Sequence, residues 1–431
     1  MSSPASRRVG AWGFPDVAPP ARVLIAGASA RAFAESAARA GYEVVAVDGF
    51  GDLDLQRCAR TVLPGRDAGG RLSTRLVARA ARRVPCDAVA YVGPLENHPG
   101  CVRALAQGGG GRDLWGNPPG VLTRARDPLR LTAVLVAGGI LPPNVHTDRH
   151  LTPLPRPGRG RWIVKPLASG GGHGITRWRG GTRLPPGTYL QERIAGAPGS
   201  VVFAADGARS VPLGLTRMLV GDRAFGAGGF RYCGSLLVGR ADAFDERLEG
   251  LAAYIASTVT GVFRLRGVNG VDFVNGVDFV EGGDTLYPIE LNPRYTASME
   301  LVERAYGLSI FEIHARACRG ELPAFDLAAA RGGGRVLGKA IVYARRDATM
   351  GDTRHWLDDD HLRDIPQPGE RIPRGRPICT VFASGRDANT CYDALVTRGQ
   401  WIYRAIEGRR AREGRAGRGG RGGRGPGASV A

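Results

Sequence analysis

The hexapeptide Asn-Gly-Val-Asp-Phe-Val stands twice in tandem, at residues 269–274 and 275–280. Glu281-Gly282-Gly283-Asp284 follows, and then Tyr287-Pro288-Ile289-Glu290-Leu291-Asn292-Pro293-Arg294. The Gly-Gly turn predicts a hairpin. An Asp on its first strand, with Glu290 and Asn292 two residues apart on its second, puts three oxygen donors on one sheet face. That set suits Mg²⁺ (or Mn²⁺), a hard cation that takes few protein oxygens and leaves the rest to phosphates. Arg294, just beyond, is placed to clamp a transferring phosphoryl group. The repeat supplies two aspartates for one metal position. With a three-residue turn at 282–284, Gly276 faces Glu290, and Asp278 becomes its diagonal neighbour at about 7–8 Å. Asp272 then lies about 13 Å further along the strand. This register selects Asp278. A six-residue repeat is even, so it leaves every side chain on its own face.

Lysine usage marks a second segment. Of 59 basic residues only Lys165 and Lys339 are lysines, a bias expected of an arginine-favouring coding background. A lysine that persists points to a site where a planar guanidinium cannot replace a compact charge. Lys165 ends the strand-like Trp162-Ile163-Val164-Lys165-Pro166, ahead of Ser169-Gly170-Gly171-Gly172-His173-Gly174. A lysine on a strand before a glycine-rich loop is a cradle for nucleotide phosphates. Lys339 either reaches toward the nucleotide from the C-terminal part or makes a structural ion pair.

A chain of 431 residues implies two to four domains. There is no run of about 18 apolar residues, and no apolar segment follows Arg7 and Arg8, so neither a membrane span nor a secretory signal is expected. The seven cysteines show no CxxC or Cys/His metal spacing, which favours free thiols in a reducing cytoplasm. A net charge of +19 attracts polyanions, either nucleic acid or a substrate such as ATP.

Residues 1–20 read as loose. Arg22–Gly27, an Ala-rich helix over 28–40 stopped by Gly41, and Glu43–Asp48 form a βαβ start. Its turn, Gly27-Ala28-Ser29-Ala30-Arg31, lacks G-x-G-x-x-G and argues against a dinucleotide site. Asp87–Val92 is a further strand, and Glu96-Asn97-His98-Pro99 beyond it is either a ligand-facing or a helix-capping loop. Strands are expected at Trp162–Pro166 and Gly187–Glu192, a mobile loop at 226–231, and an amphipathic helix over 243–260. From about 330 the texture is β-rich, with strands at Val336–Ala344 and Ile378–Ala383. The tail 408–431 carries seven arginines against Glu413 and cannot bury a core, so disorder is expected.

These pieces together resemble the ATP-grasp superfamily of carboxylate–amine ligases. The matching segments are Val164-Lys165-Pro166 with its glycine loop, Gln191-Glu192-Arg193-Ile194, Asp278, and Glu290-Leu291-Asn292-Pro293-Arg294, in the family's order over roughly residues 120–325. The chain is also distantly similar to tyramine–glutamate ligases of methanofuran biosynthesis. The resemblance implies an α/β and α+β fold. A Rossmann-like pre-ATP-grasp domain would span 21–122, a two-lobed ATP-grasp core 123–325, and a small β-rich unit 326–407. It implies ATP bound by Lys165, Ser169, Gly170, Gly171 and Gly172, with Gln191, Glu192 and Ile194 as the adenine hinge. Mg²⁺ would sit on Asp278, Glu290 and Asn292, with Arg294 and Lys165 acting in catalysis. A carboxylate would be phosphorylated, and an amine would then displace phosphate to form an amide.

The family's early phosphate lysine is absent. Arg124, Arg126 and Arg130 surround Asp127-Pro128, and Arg130 or Arg126 is the candidate replacement. The family's acidic ribose contact is also missing from Ala197-Pro198-Gly199-Ser200. His173, Arg231 and Tyr232 are phosphate or substrate contacts, or surface and packing residues. Thr296 and Ser298 either touch the acceptor or cap a helix. The partners implied are a small carboxylate and a small amine, with no membrane; a homodimer is admitted and not required. Two other readings stay open: an ATP-binding protein without catalysis, and an RNA-associated one using the Arg/Gly tail.

Overall fold

The computed structural model describes residues 22–65, 72–108, 111–147, 154–155, 161–237, 239, 244–277, 282–332 and 334–419, with 408–419 as backbone alone. The expected loose N-terminus and residues 420–431 of the tail lie outside the described residues.

The short apolar runs near the start, unbroken by polar residues, form a parallel sheet buried on both faces. Strands β1 (Arg22–Ala26), β2 (Glu43–Val47), β3 (Arg60–Val62), β4 (Ala88–Tyr91) and β5 (Asp113–Leu114) take the order β3-β2-β1-β4-β5. The Ala-rich helix Arg31–Arg39 buries Phe33, Ala34 and Ala37. Gly41, at φ 90°, ends it in a conformation that only glycine adopts freely.

The small lobe is a four-stranded antiparallel sheet of β6 (Val145–His146), β7 (Trp162–Pro166), β8 (Thr176–Arg177) and β9 (Thr188–Glu192), ordered β6-β9-β7-β8. Alternation along β7 sorts its side chains. Trp162 and Val164 enter a core with Trp178, Leu184 and Leu190, and Lys165 turns the other way.

The large sheet contains β10 (Ala197–Asp206), β11 (Ser210–Val220), β12 (Tyr232–Leu237), β13 (Arg266–Val277), β14 (Asp284–Asn292), β15 (Val336–Tyr343), β17 (Leu362–Arg363) and β19 (Pro377–Gly385). Its order is β14-β13-β10-β11-β12-β15-β19-β17. A separate pair joins β16 (Ala348–Thr349) to β18 (Arg371–Ile372). The helix Glu246–Phe263, capped by Asp245, buries Leu248, Ile255, Val259 and Phe263, a helical repeat that covers one face of the sheet.

The expected β-rich C-terminal strands join the large sheet: β15 pairs with β12, because an unpaired edge there would leave backbone groups unsatisfied. One feature differs from expectation. The final helix, Ala388–Gly419, runs into the segment expected to lack structure. Its Arg, Ala and Glu residues are good helix formers, and the helix is already nucleated upstream.

Helix Arg31–Arg39 and helix Ile310–Cys318 clamp the N-terminal sheet to the large one. Phe33 stacks on Tyr295 with ring centroids 4.5 Å apart and meets Phe311 at 4.8 Å. Val92 bridges to Tyr295 in parallel fashion. The segment after β14 is thereby held against the N-terminal domain.

Candidate active site

The two antiparallel sheets face each other across a cavity of about 330 Å³. Its chemistry originates in an irregularity of the hairpin. From Val277↔Asp284 to Phe273↔Pro288 the strands pair regularly, and after a shift Asp272 faces Glu290. Ile289 is the unpaired residue of this bulge. Without it the acidic residue of β14 would fall out of step with Asp272; with it both carboxyls occupy one face. Asn292 lies on the same face and its Nδ2 donates to Asp272 Oδ2 at 3.0 Å.

This corrects the register expected from sequence. Gly276 pairs with Thr285, not Glu290, because the connection spans 278–283 and the bulge lies further along. Asp278, selected by the shorter turn, lies outside the described residues. Asp272 is the aspartate that stands beside Glu290 and Asn292.

The bulge also frees the Ile289 carbonyl from the ladder. Lys165 Nζ donates to it at 3.2 Å and to Gln191 Oε1 at 3.1 Å, while Gln191 Nε2 reaches the same carbonyl at 3.1 Å. Burial opposes the Lys165 charge, but Tyr189 and Glu290 outweigh it and raise its pKa above the ordinary value. Glu290 is half-buried, which opposes its charge, yet Arg126 and Lys165 hold its carboxyl below the usual range. Asp272 has weaker help, from Ser200, Arg294 and Asn292. Burial, and then repulsion from Glu290, push it up to about 6. A divalent cation sharing phosphate oxygens would hold the Asp272 carboxyl in its charged form beside Glu290 and Asn292.

Of the three candidate arginines, Arg126 reaches the site. It donates to Glu290 Oε1 at 2.8 Å, Leu291 O at 2.9 Å and Asn97 Oδ1 at 2.9 Å. Arg130 is 61% exposed and lies only near Asp127. Arg294 is fixed by Glu96 at 2.7 Å and by Asn292 Oδ1 at 3.2 Å. The Glu-Asn-His-Pro loop thus neither caps a helix with these side chains nor opens to solvent. Glu96 orients Arg294, and Asn97 ties Arg126 and the Ser169 carbonyl. Sequence reasoning saw the loop and missed this role, which depends on the contact between domains.

The glycine loop sits against the segment expected to be mobile. Tyr232 N donates to Gly171 O at 3.1 Å. Gly172 has φ 76°, and a Cβ there would lie 1.8 Å from the Phe230 carbonyl oxygen. Gly172→Ala is expected to displace the loop and weaken ATP binding by about tenfold or more, measured by titration of the purified protein with ATP. Unchanged affinity would mean that the loop does not hold the nucleotide.

The remaining candidates separate. Ile194 lines the cavity, as do Arg193 and Glu192, but the Glu192 carboxylate is engaged by Asn144 Nδ2 at 2.6 Å and Arg161 at 3.1 Å. His173 is exposed, and partial burial with Arg231 and Arg376 nearby lowers its pKa. Arg231 donates to Gly375 O at 2.6 Å. Tyr232 hydrogen-bonds Ser235, and Thr296 hydrogen-bonds Ser298; all four line the cavity. Ser298 precedes helix Met299–Tyr306 without capping it through its side chain. Lys339 pairs with Glu300 at 2.6 Å, the structural one of the two roles left open by the sequence. Arg124 contacts only the Phe263 carbonyl, at 3.5 Å.

Residues 127–298 match the family model described as an ATP-grasp domain. No curated protein matches the sequence. Among solved structures, the chain resembles Rhizobium etli pyruvate carboxylase at TM-score 0.66 and 16% identity, over 88% of this chain and 37% of that one. It thus spans little more than a third of that protein. It resembles biotin carboxylase from Campylobacter jejuni at 0.64 and 14%, covering 87% and 90% of the two chains. An L-amino acid ligase from Bacillus licheniformis matches at 0.59 and 14%, covering 88% and 97%. At these identities the likeness is one of fold.

Proposed function

We propose that the ATP-grasp domain this chain carries at residues 127–298 makes it an ATP-dependent ligase that joins a carboxylate to an amine. The observation that carries the reading is the convergence of Lys165, Asp272, Glu290, Asn292 and Arg294 around one cavity. The cytoplasm is the proposed compartment. Among the described residues no helix is long and apolar enough to cross a membrane.

In this reading ATP lies between the small lobe and the large sheet, its adenine near the backbone of Gln191–Ile194. Lys165 meets the phosphates and Gly170–Gly172 close over them. Asp272, Glu290 and Asn292 would hold Mg²⁺, whose charge offsets that of the phosphates. Arg294, kept in place by Glu96, steadies the transferring phosphoryl group. Arg126 stands in for the missing early lysine: ATP arrival would draw its guanidinium from Glu290 toward phosphate. The substrate carboxylate attacks the γ-phosphorus, releasing ADP and giving an acyl phosphate. A neutral amine then attacks the acyl carbon and phosphate leaves. Thr296, Ser298, Tyr232 and Ser235 supply hydroxyls for the acceptor.

The test is ADP release across a panel of amino acids and amines with Mg²⁺. Release that needs both a carboxylate and an amine is expected, and Glu290→Ala should abolish it, by about 10³-fold, with the fold intact. ATP binding without turnover in any pairing would favour a non-catalytic nucleotide-binding protein.

A further inference from the structure

A second cavity, of about 140 Å³, lies where the N-terminal sheet meets the C-terminal strands. It shares no lining residue with the nucleotide cleft. Ser29 and Asp52, from the loops that follow β1 and β2, line it from one side, and Ile341, Ile372 and Ile378 line it from the other.

Its carboxyl groups are not equivalent. Asp364 accepts from Arg31 Nε at 2.9 Å and from the Thr380 hydroxyl at 2.5 Å. Glu370 accepts from Gln367 N at 3.1 Å. Asp52 is 7% exposed, yet among the described residues no donor reaches its carboxylate. It precedes helix Leu53–Cys58 without capping it. Its neighbours Asp364, Asp48 and Asp54 carry the same charge, and Arg31 is already bonded to Glu300, Asp364 and Glu35. Burial and these acidic neighbours push the Asp52 carboxyl well above the usual range, and a cation in the cavity would favour its charged form.

The walls identify which kind. Among the described residues no group of three or more His, Cys, Asp or Glu side chains converges to hold a metal. The lining sets isoleucines and prolines beside oxygen-bearing side chains, Asp364, Glu370, Ser29 and Thr380, of which Asp364 and Thr380 are already bonded to each other. A charged head on an apolar body satisfies both surfaces. We propose that this cavity binds a small aliphatic ammonium ion, its head on Asp52 and its chain against Ile341, Ile372 and Ile378. The site is independent of the ligase reading. It has a physical line to the cleft: Tyr343, on its wall, donates its hydroxyl to Tyr232 O at 2.9 Å, and Tyr232 lines the cleft.

Calorimetric titration of the full chain with methyl-, ethyl- and n-butylammonium chloride tests it, with n-butanol and KCl as controls. Saturable binding that tightens about threefold per added methylene is expected, with no Asp52-dependent binding of butanol or K⁺. Asp52→Asn should weaken n-butylammonium by at least about tenfold while melting no lower than wild type without ligand. A flat chain-length series, equal affinity in the variant, or an Asp52-dependent response to K⁺ would each overturn the proposal. The chain-length series reads wild type alone and decides even if the variant misfolds.

Discussion

Asp272→Asn is expected to reduce ADP release by about 10³-fold while raising the melting temperature of the ligand-free protein. Both effects have one origin. The bulge at Ile289 sets Asp272 opposite Glu290 in a half-buried row, where desolvation and that neighbour push its carboxyl up to about 6. A carboxyl whose folded pKa lies above its unfolded value favours the fold at low pH. Its contribution is lost as pH rises from about 4 through about 6. At pH 7–8 asparagine removes that charge, for a gain of about 2 kcal/mol. At pH 4 the gain should vanish. Melting curves at the two pH values, beside turnover, check the paired outcome. Asp278→Asn should stay near wild type in both. A dead Asp278 variant beside an active Asp272 variant would overturn the metal assignment.

Lys165→Arg should be nearly as damaging, with a loss of about 10²–10³-fold in kcat/KM for ATP. The ammonium meets Gln191 Oε1 at 3.1 Å and Ile289 O at 3.2 Å in a buried slot beneath Tyr189. A guanidinium is planar, longer and forked, so one side of it would displace the bulge or lose those acceptors. The bulge sets the step of Glu290, so the damage spreads to the proposed metal donors. Lys165→Met separates the contributions: it keeps the stem and leaves the Ile289 carbonyl to Gln191 alone. Steady-state kinetics with ATP varied, together with calorimetric ATP binding, distinguish the two variants. An arginine variant with wild-type kcat/KM would show that the retained lysine is accidental.

The parts of the site carried by contiguous residues were legible in the sequence. Lys165 before its glycine loop and Glu290-x-Asn292-x-Arg294 after a Gly-Gly turn are short-range patterns, and the structure brings them together. The choice of Asp272 over Asp278 was not legible. It depends on where pairing starts beyond the turn and on a one-residue bulge at Ile289, and nothing in Tyr-Pro-Ile-Glu-Leu marks that residue as the unpaired one. The identical hexapeptides removed the side-chain pattern that usually decides register. Glu96 and Asn97 were visible as a polar loop beyond a strand. Their partners, Arg294 and Arg126, lie 198 and 29 residues away, and no local spacing encodes that. The C-terminal strands were recognised as strands, but which edge they would join was a tertiary choice.

That edge has a consequence for how the chain comes apart. β15 and β19 extend the same ladder that holds the hairpin, and Ser235 on the cavity wall pairs directly with Lys339. The sheet that carries the hairpin and the final strands therefore form one cooperative unfolding unit. Cutting the chain near residue 330 would not release a self-standing nucleotide cleft. It would strip β12 of its neighbour and present a raw edge to other chains, so aggregation, not truncated activity, is the fate of such a fragment.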